Sequence, residues 1–190
     1  MALTRDDWTA AALDALATSG LPGVAVEPLA RALNATKGSF YWHFSGRDEL
    51  VTATLERWET ETTTATIAEV SAIADPVQRI RRLCEIAFGG AVEYGIDAAL
   101  LAAASDPLVA PILDRTTRTR IDYITTLCRE LGLSRATAAR QARITYAMFL
   151  GLSQLRAGGL AGHTTPRDAK ALADLAVRNV LLMAGQAATP

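Results

Sequence analysis

What this sequence lacks narrows it first. It has two cysteines, Cys84 and Cys128, far apart and without metal-ligand spacing around either. That excludes a disulfide framework and a cysteine metal site, and leaves both as reduced core residues. The formal net charge of −1 exerts no global pull toward nucleic acid or membrane. No apolar run reaches the roughly 18 residues that a membrane-spanning helix needs. The most apolar region, from Ile86 to Ala104, is interrupted by Glu93 and Asp97. Arg5, Asp6 and Asp7 precede the first apolar positions, which is not a signal-peptide layout. Period-two alternation, internal repeats, low-complexity linkers and phosphate-cradling glycine loops are all missing. The expectation is a soluble, cytoplasmic protein without strands, metal or cofactor.

What remains is rich in helix-forming residues. Half of the 190 residues are hydrophobic, and alanine and leucine dominate them. The pattern predicts an all-α chain of about nine helices. Thr4 caps a first helix to about Thr18, with Trp8, Ala12, Ala15 and Leu16 as its inner stripe, and Ser19-Gly20 ends it. A second helix begins near Glu27-Pro28 and a third runs from Lys37 to His43. A long fourth helix starts near Arg47 and extends toward Ile73. Its threonines (Thr60, Thr62, Thr63, Thr64, Thr66) weaken it enough for a kink or an early end. Further helices are expected from Asp75-Pro76, over Ile96–Ala104, after Ser105-Asp106-Pro107 to about Glu130, from Ser134 to Ala157, and from Pro166 to Met183. A glycine-rich loop covers residues 158–165.

The stretch from Leu29 to Phe44 carries the chemistry. Leu29, Ala30 and Leu33 lie on one face of a short helix, and Asn34 tolerates the left-handed conformation of a sharp turn. Thr36 can cap the next helix, on which Phe40 and Phe44 are spaced to face inward. Lys37, Tyr41 and His43 then offer donors elsewhere on the surface. Two short helices joined by such a turn describe a helix-turn-helix. Leu29-Ala30, Thr36-Lys37-Gly38, Tyr41, His43-Phe44 and Arg47-Asp48-Glu49-Leu50 together resemble the DNA-binding signature of TetR/AcrR-type transcriptional regulators, over roughly residues 1–58.

That resemblance implies a DNA-binding head over residues 1–46 and a ligand-binding and dimerisation region over residues 47–190. It implies Thr36, Lys37, Gly38, Ser39, Tyr41, Trp42 and His43 as the DNA-facing set, with Lys37, Tyr41 and His43 mainly on phosphates. Its partners would be double-stranded DNA with two-fold half-sites, a small-molecule effector and a second copy of the chain, paired through the last two helices. Those helices suit pairing. Ala169 to Ala184 is mostly apolar, with Leu172, Leu175, Ala176, Val180 and Met183 among its positions, and Ala139, Ala142, Tyr146, Phe149, Leu150 and Ser153 line the helix before it. Trp58, Thr62, Phe88, Tyr94, Tyr123, Tyr146 and Phe149 are candidates to line an effector cavity. Few charges fall on those inner faces, which suits a largely apolar, uncharged ligand.

Two features resist this reading. Residues 1–57 carry Arg5, Arg31, Lys37, Arg47 and Arg57 against Asp6, Asp7, Asp14, Glu27, Asp48, Glu49 and Glu56, five against seven. Ala25-Val26 also stands where the family begins its second helix with Ser or Thr, losing a cap and a phosphate donor. The rival reading is an all-α small-molecule-binding protein without useful DNA affinity. An enzyme is not expected. Gly151-Leu152-Ser153-Gln154-Leu155 lacks the second glycine and the preceding strand of a nucleophile elbow. Asn34-Ala35-Thr36 matches a glycosylation triplet by chance, and His163 stands alone in its loop.

Overall fold

A computed structural model describes residues 3–89, 93–159 and 166–185, without the side chains of residues 93, 94, 166, 167 and 169. Among the described residues every regular element is helical. The chain divides into two compact units, residues 1–62 with 92–115, and residues 63–91 with 116–190.

In the first unit, α1 (Arg5–Gly23) opens with the expected cap. Thr4 Oγ1 accepts from the Asp7 amide at 3.2 Å, and the Asp7 carboxylate accepts from the Thr4 amide at 2.7 Å. Gly20, with φ of +67°, breaks the helix before Leu21-Pro22-Gly23 adds a last turn. α2 (Val26–Ala32) and α3 (Lys37–Tyr41) follow, then α4 (Arg47–Glu59). Trp8, Ala12, Leu16, Leu29, Ala30, Phe40, Phe44, Leu50, Val51 and Leu55 pack one core. Arg57 ties α4 to α1, donating from Nη1 to the Asp6 carbonyl at 2.8 Å and to Thr9 Oγ1 at 3.1 Å.

The threonine run does interrupt the long helix. Residues Thr60–Thr64 form a π turn, after which α5 (Ala65–Ser71) resumes. Thr60 Oγ1 donates to the Glu56 carbonyl at 2.8 Å and Thr62 Oγ1 to the Trp58 carbonyl at 2.7 Å. Such back-bonding competes with the backbone ladder and favours a wider turn. The division between the two units falls inside this π turn.

In the first unit, α7 (Glu93–Ala102) begins three residues before its apolar run and packs on α1. Gly95, which the sequence presents only as a weak helix position, is where the two backbones meet. A Cβ there would lie 2.8 Å from the Ala17 carbonyl oxygen. Gly95→Ala gains about 1 kcal/mol of helix propensity but overpacks a backbone contact at about 1–3 kcal/mol. The expected net is a loss of stability, read as a lower urea midpoint at an unchanged slope. A higher midpoint would show that α1 and α7 separate freely at this point.

The second unit is built from α5, α6 (Pro76–Gly89), α8 (Ala110–Glu130), α9 (Arg135–Ala157) and α10 (Pro166–Met183), α8 belonging to it from Thr116 onward. Pro76 opens α6 where its missing N–H costs nothing, and Asp75 Oδ1 accepts from the Val77 amide at 3.1 Å. Ser134 caps α9, accepting from the Thr137 amide. α8 begins at Ala110, later than the sequence suggests, because residues 103–109 form turns in which Asp106 Oδ1 accepts from the Leu108 amide at 2.8 Å. α10 packs along α6, with Ile80, Cys84 and Phe88 of α6 in one core with Ala173, Ala176, Val177 and Val180. Both cysteines are buried there, and burial pushes the Cys84 thiol to about 12 and the Cys128 thiol to about 11.

Candidate nucleic-acid interface

The turn between α2 and α3 follows from three residues. Asn34 adopts φ of +51°, and the Ala35 amide donates back to the Ala30 carbonyl at 2.8 Å. Thr36 then caps α3, its Oγ1 accepting from the Ser39 amide at 3.2 Å. With five residues, α3 is too short to hold itself; its anchor is Phe40. That ring is fully buried, 5.3 Å from Trp8 edge-to-face and 5.4 Å from Phe44. Residues 42 and 43 form a turn rather than helix, so α3 ends before the expected His43.

Inward anchoring decides what points outward. Tyr41 is 61% and Trp42 88% exposed, and Lys37 and Thr36 are exposed beside them. Ser39 and His43 are half-buried. Gly38 has room for a side chain, since a Cβ would meet only Thr36 Oγ1 at 3.6 Å. The fold itself does not demand glycine there; close approach of something outside the chain is a reason to keep it. α2 (Val26–Ala32), by contrast, has Ala25 at its N-cap and no side-chain cap.

Charge is arranged less simply than the motif suggests. The Lys37 ammonium is paired with the Glu27 carboxylate of α2. A hydrogen bond and attraction to Glu27 raise the Lys37 pKa, and the same contacts lower that of Glu27. At the other end of α3, Arg5 donates from Nη1 to the His43 carbonyl at 2.5 Å and to Glu49 Oε1 at 2.9 Å, with its guanidinium 4.2 Å from the Phe44 ring centroid. Glu49 Oε2 also accepts from the Ser45 amide at 2.7 Å and hydroxyl at 2.8 Å. These bonds, with Arg5, hold its carboxyl at about 2. Arg47 donates to the Val24 and Leu21 carbonyls at 2.7 and 2.9 Å, fixing the chain just before α2. Arg5, Glu49 and Arg47 are thus engaged in bonds that hold the helix-turn-helix in place. The sequence motif contained Arg47 and Glu49 but no sign of these roles, because their partners include groups tens of residues away.

The residues expected to line an effector cavity are divided. Trp58 is 1% exposed in the core of the first unit, to which Thr62 also belongs. In the second unit Phe88 is buried, Tyr123 Oη is 3.0 Å from Ser71 Oγ, and Tyr146 Oη is 3.4 Å from Thr117 Oγ1. Tyr146 stacks on Phe149 at 6.0 Å, and the Arg120 guanidinium lies 5.8 Å from the Phe149 centroid. Arg120 is a charge that sequence spacing had not placed among these rings. The Tyr94 side chain and His163 lie outside the described residues. Ser153, of the incomplete elbow, is buried and donates to the Phe149 carbonyl at 2.9 Å, which leaves it no nucleophile's access.

Comparison with known proteins agrees with this geometry. Residues 9–54 match the family model described as bacterial regulatory proteins, tetR family. A Pseudomonas putida protein described as the uncharacterized HTH-type transcriptional regulator TtgW is 36% identical over 52 residues, which are 27% of this chain and 39% of that protein. The chain thus spans well under half of that relative. Among solved structures, a transcriptional regulator from Rhodococcus sp. Rha1 superposes with a TM-score of 0.82 at 23% identity, covering 99% of this chain and 100% of that one. A candidate transcriptional regulator from Saccharomonospora viridis in complex with choline gives 0.78 at 17% identity, over 94% and 95%. At these identities the structures share the fold with this chain. Residues 9–54 thus match the helix-turn-helix model of the tetR family of bacterial regulatory proteins, and the whole chain shares the all-α fold of these solved regulators.

Proposed function

We propose that the chain is a cytoplasmic, DNA-binding transcriptional regulator, acting as a repressor that a small, largely apolar effector releases from its operator. Residues 1–46 form the DNA-reading head, and residues 47–190 bind the effector and pair two copies through the last two helices. The observation that carries the reading is the presentation of α3: Phe40 and Phe44 are sunk in the core while Lys37, Tyr41 and Trp42 stand outward. In a helix-turn-helix this second helix enters the major groove, and a dimer reads two half-sites about 34–36 Å apart or a multiple of that. Thr36, Gly38, Ser39 and His43 complete the DNA-facing set. Tyr146, Phe149, Tyr123 and Phe88 are the second unit's candidates for effector contact. The choline held by the Saccharomonospora viridis structure supports small-molecule binding by this fold.

Selection from a randomised duplex library, with sequencing of the retained fragments, tests the reading. Two-fold related half-sites are expected, and an unenriched pool would sink it. Lys37→Ala should weaken binding to all sequences and lower the salt-dependence slope by about 1. Tyr41→Phe should cost affinity without altering base preference, because phosphate contacts position rather than specify. A changed operator preference in either variant would mean that these side chains read bases. A second reading, a small-molecule-binding protein with little DNA affinity, draws on the acidic head and on the neutralised Lys37.

A further inference from the structure

Lys37 is the sole charged residue of α3, and in the free protein it is already spoken for. Its partner, Glu27, stands in the first turn of α2, the helix that crosses the DNA backbone when a helix-turn-helix docks. Both side chains are 60% exposed, so neither is locked by packing. Arg31, one turn further along α2, adds to the attraction on Glu27. Resting on the DNA-binding reading, we infer that Glu27 is a built-in competitor for the phosphate-binding lysine, holding the Lys37 ammonium in the free head and attenuating its grip on DNA of any sequence. A phosphate approaching Lys37 must displace a carboxylate, and that carboxylate is left facing the DNA backbone as an unpaired negative charge. Counterion release needs net positive charge at the contact, and a Lys37–Glu27 pair supplies none.

This assigns Glu27 a role opposite to the rest of the helix-turn-helix. It favours the α2 N-terminus through its position in the first turn, where the missing Ala25 cap leaves amides unsatisfied, while it restrains the head from non-cognate duplex. The effect is independent of sequence because phosphates carry no sequence information.

The test is a double-variant cycle on the full chain with a fluorescent random-sequence duplex, titrated at several salt concentrations. The proteins are the wild type, Glu27→Gln, Lys37→Ala and the pair together. Glu27→Gln should tighten binding at low salt by about two- to five-fold, the scale of releasing one exposed ion pair, and steepen the salt slope by about 1. In the Lys37→Ala background the same change removes only the repulsion, so its gain should be clearly smaller. Thermal melts of all four proteins identify any variant whose α2 has loosened. An equal gain in both backgrounds, or none with Lys37 present, overturns the competition while leaving DNA binding intact. Failure of all four proteins to bind any duplex overturns the DNA-binding reading and the inference together.

Discussion

Phe40→Ala should cost the first unit about 3–5 kcal/mol, the usual penalty for emptying a buried phenylalanine site. That is a large part of the stability of a typical domain. The site cannot collapse easily. Phe40 is fully buried, with Trp8 edge-on at 5.3 Å, Phe44 stacked at 5.4 Å and Tyr41 edge-on at 5.2 Å. Removing the ring leaves α3 with its Thr36 cap and little else, and five residues do not form a helix unaided. DNA binding should therefore be lost at every salt concentration, unlike the salt-graded loss expected from Lys37→Ala. Urea unfolding followed by tryptophan fluorescence provides the measurement, since Trp8 reports the same core. A loss below about 1 kcal/mol with binding intact would show that α3 is held by something other than this ring.

The contrast between those two variants also explains what the sequence could and could not reveal. Features made by neighbours in the chain were legible: Thr4 and Thr36 as caps, Asn34 as the left-handed turn residue, Ser134 opening α9, and the Thr60–Thr64 run disturbing α4. Each rests on local hydrogen bonds or propensities that act within one or two turns. Features joining distant segments were not legible. Arg5 meets Glu49 and the His43 carbonyl, and Arg47 meets the Leu21 and Val24 carbonyls, through contacts that no periodicity announces. Gly95 looked like a weak helix position because its reason, the Ala17 carbonyl, lies on another helix. Lys37 was legible as a cation but not as a paired one. Its partner is ten residues back and across the turn, so only the folded geometry brings them together.

The acidic count over residues 1–57 reads differently once these partners are known. Glu49 is engaged by Arg5 and Ser45, and Asp7 by the Thr4 cap, with a smaller contribution from His43 to the lowering of its pKa. These carboxylates serve internal bonds. Glu27 is the acid that meets the lysine of α3, and so the one whose charge bears directly on the proposed contact.

Leu182→Glu and Leu175→Glu should each convert a dimer into a monomer. Among the described residues, the exposed large apolar side chains fall in two places: Tyr41 and Trp42 at the end of α3, and Ile144, Leu155, Leu175, Leu182 and Met183 on the last two helices. Leu175 and Leu182 are seven residues apart, two turns along one face of α10. On α9, Ile144 and Leu155 share a face with the exposed Ala147 and Gly151. Small residues between larger ones permit close helix approach, and an apolar face of this kind on a protein surface marks an interaction site. We propose a second copy of the chain as its occupant, forming an isologous four-helix contact in which each stripe meets its twin. Both leucines are 45% or more exposed in the single chain, so glutamate there should cost the monomer little. In the dimer it would bury an unpaired charge against its twin, at about 3–5 kcal/mol. The expected result is therefore dissociation with an unchanged monomer fold, seen as halved mass in sedimentation and retained far-UV helicity. Operator affinity should fall much further than affinity for a single half-site, because linking two heads adds about 10²–10⁴ to the binding of one. A wild-type protein that sediments as a monomer at micromolar concentration would refute the pairing, and so would a glutamate variant that stays dimeric.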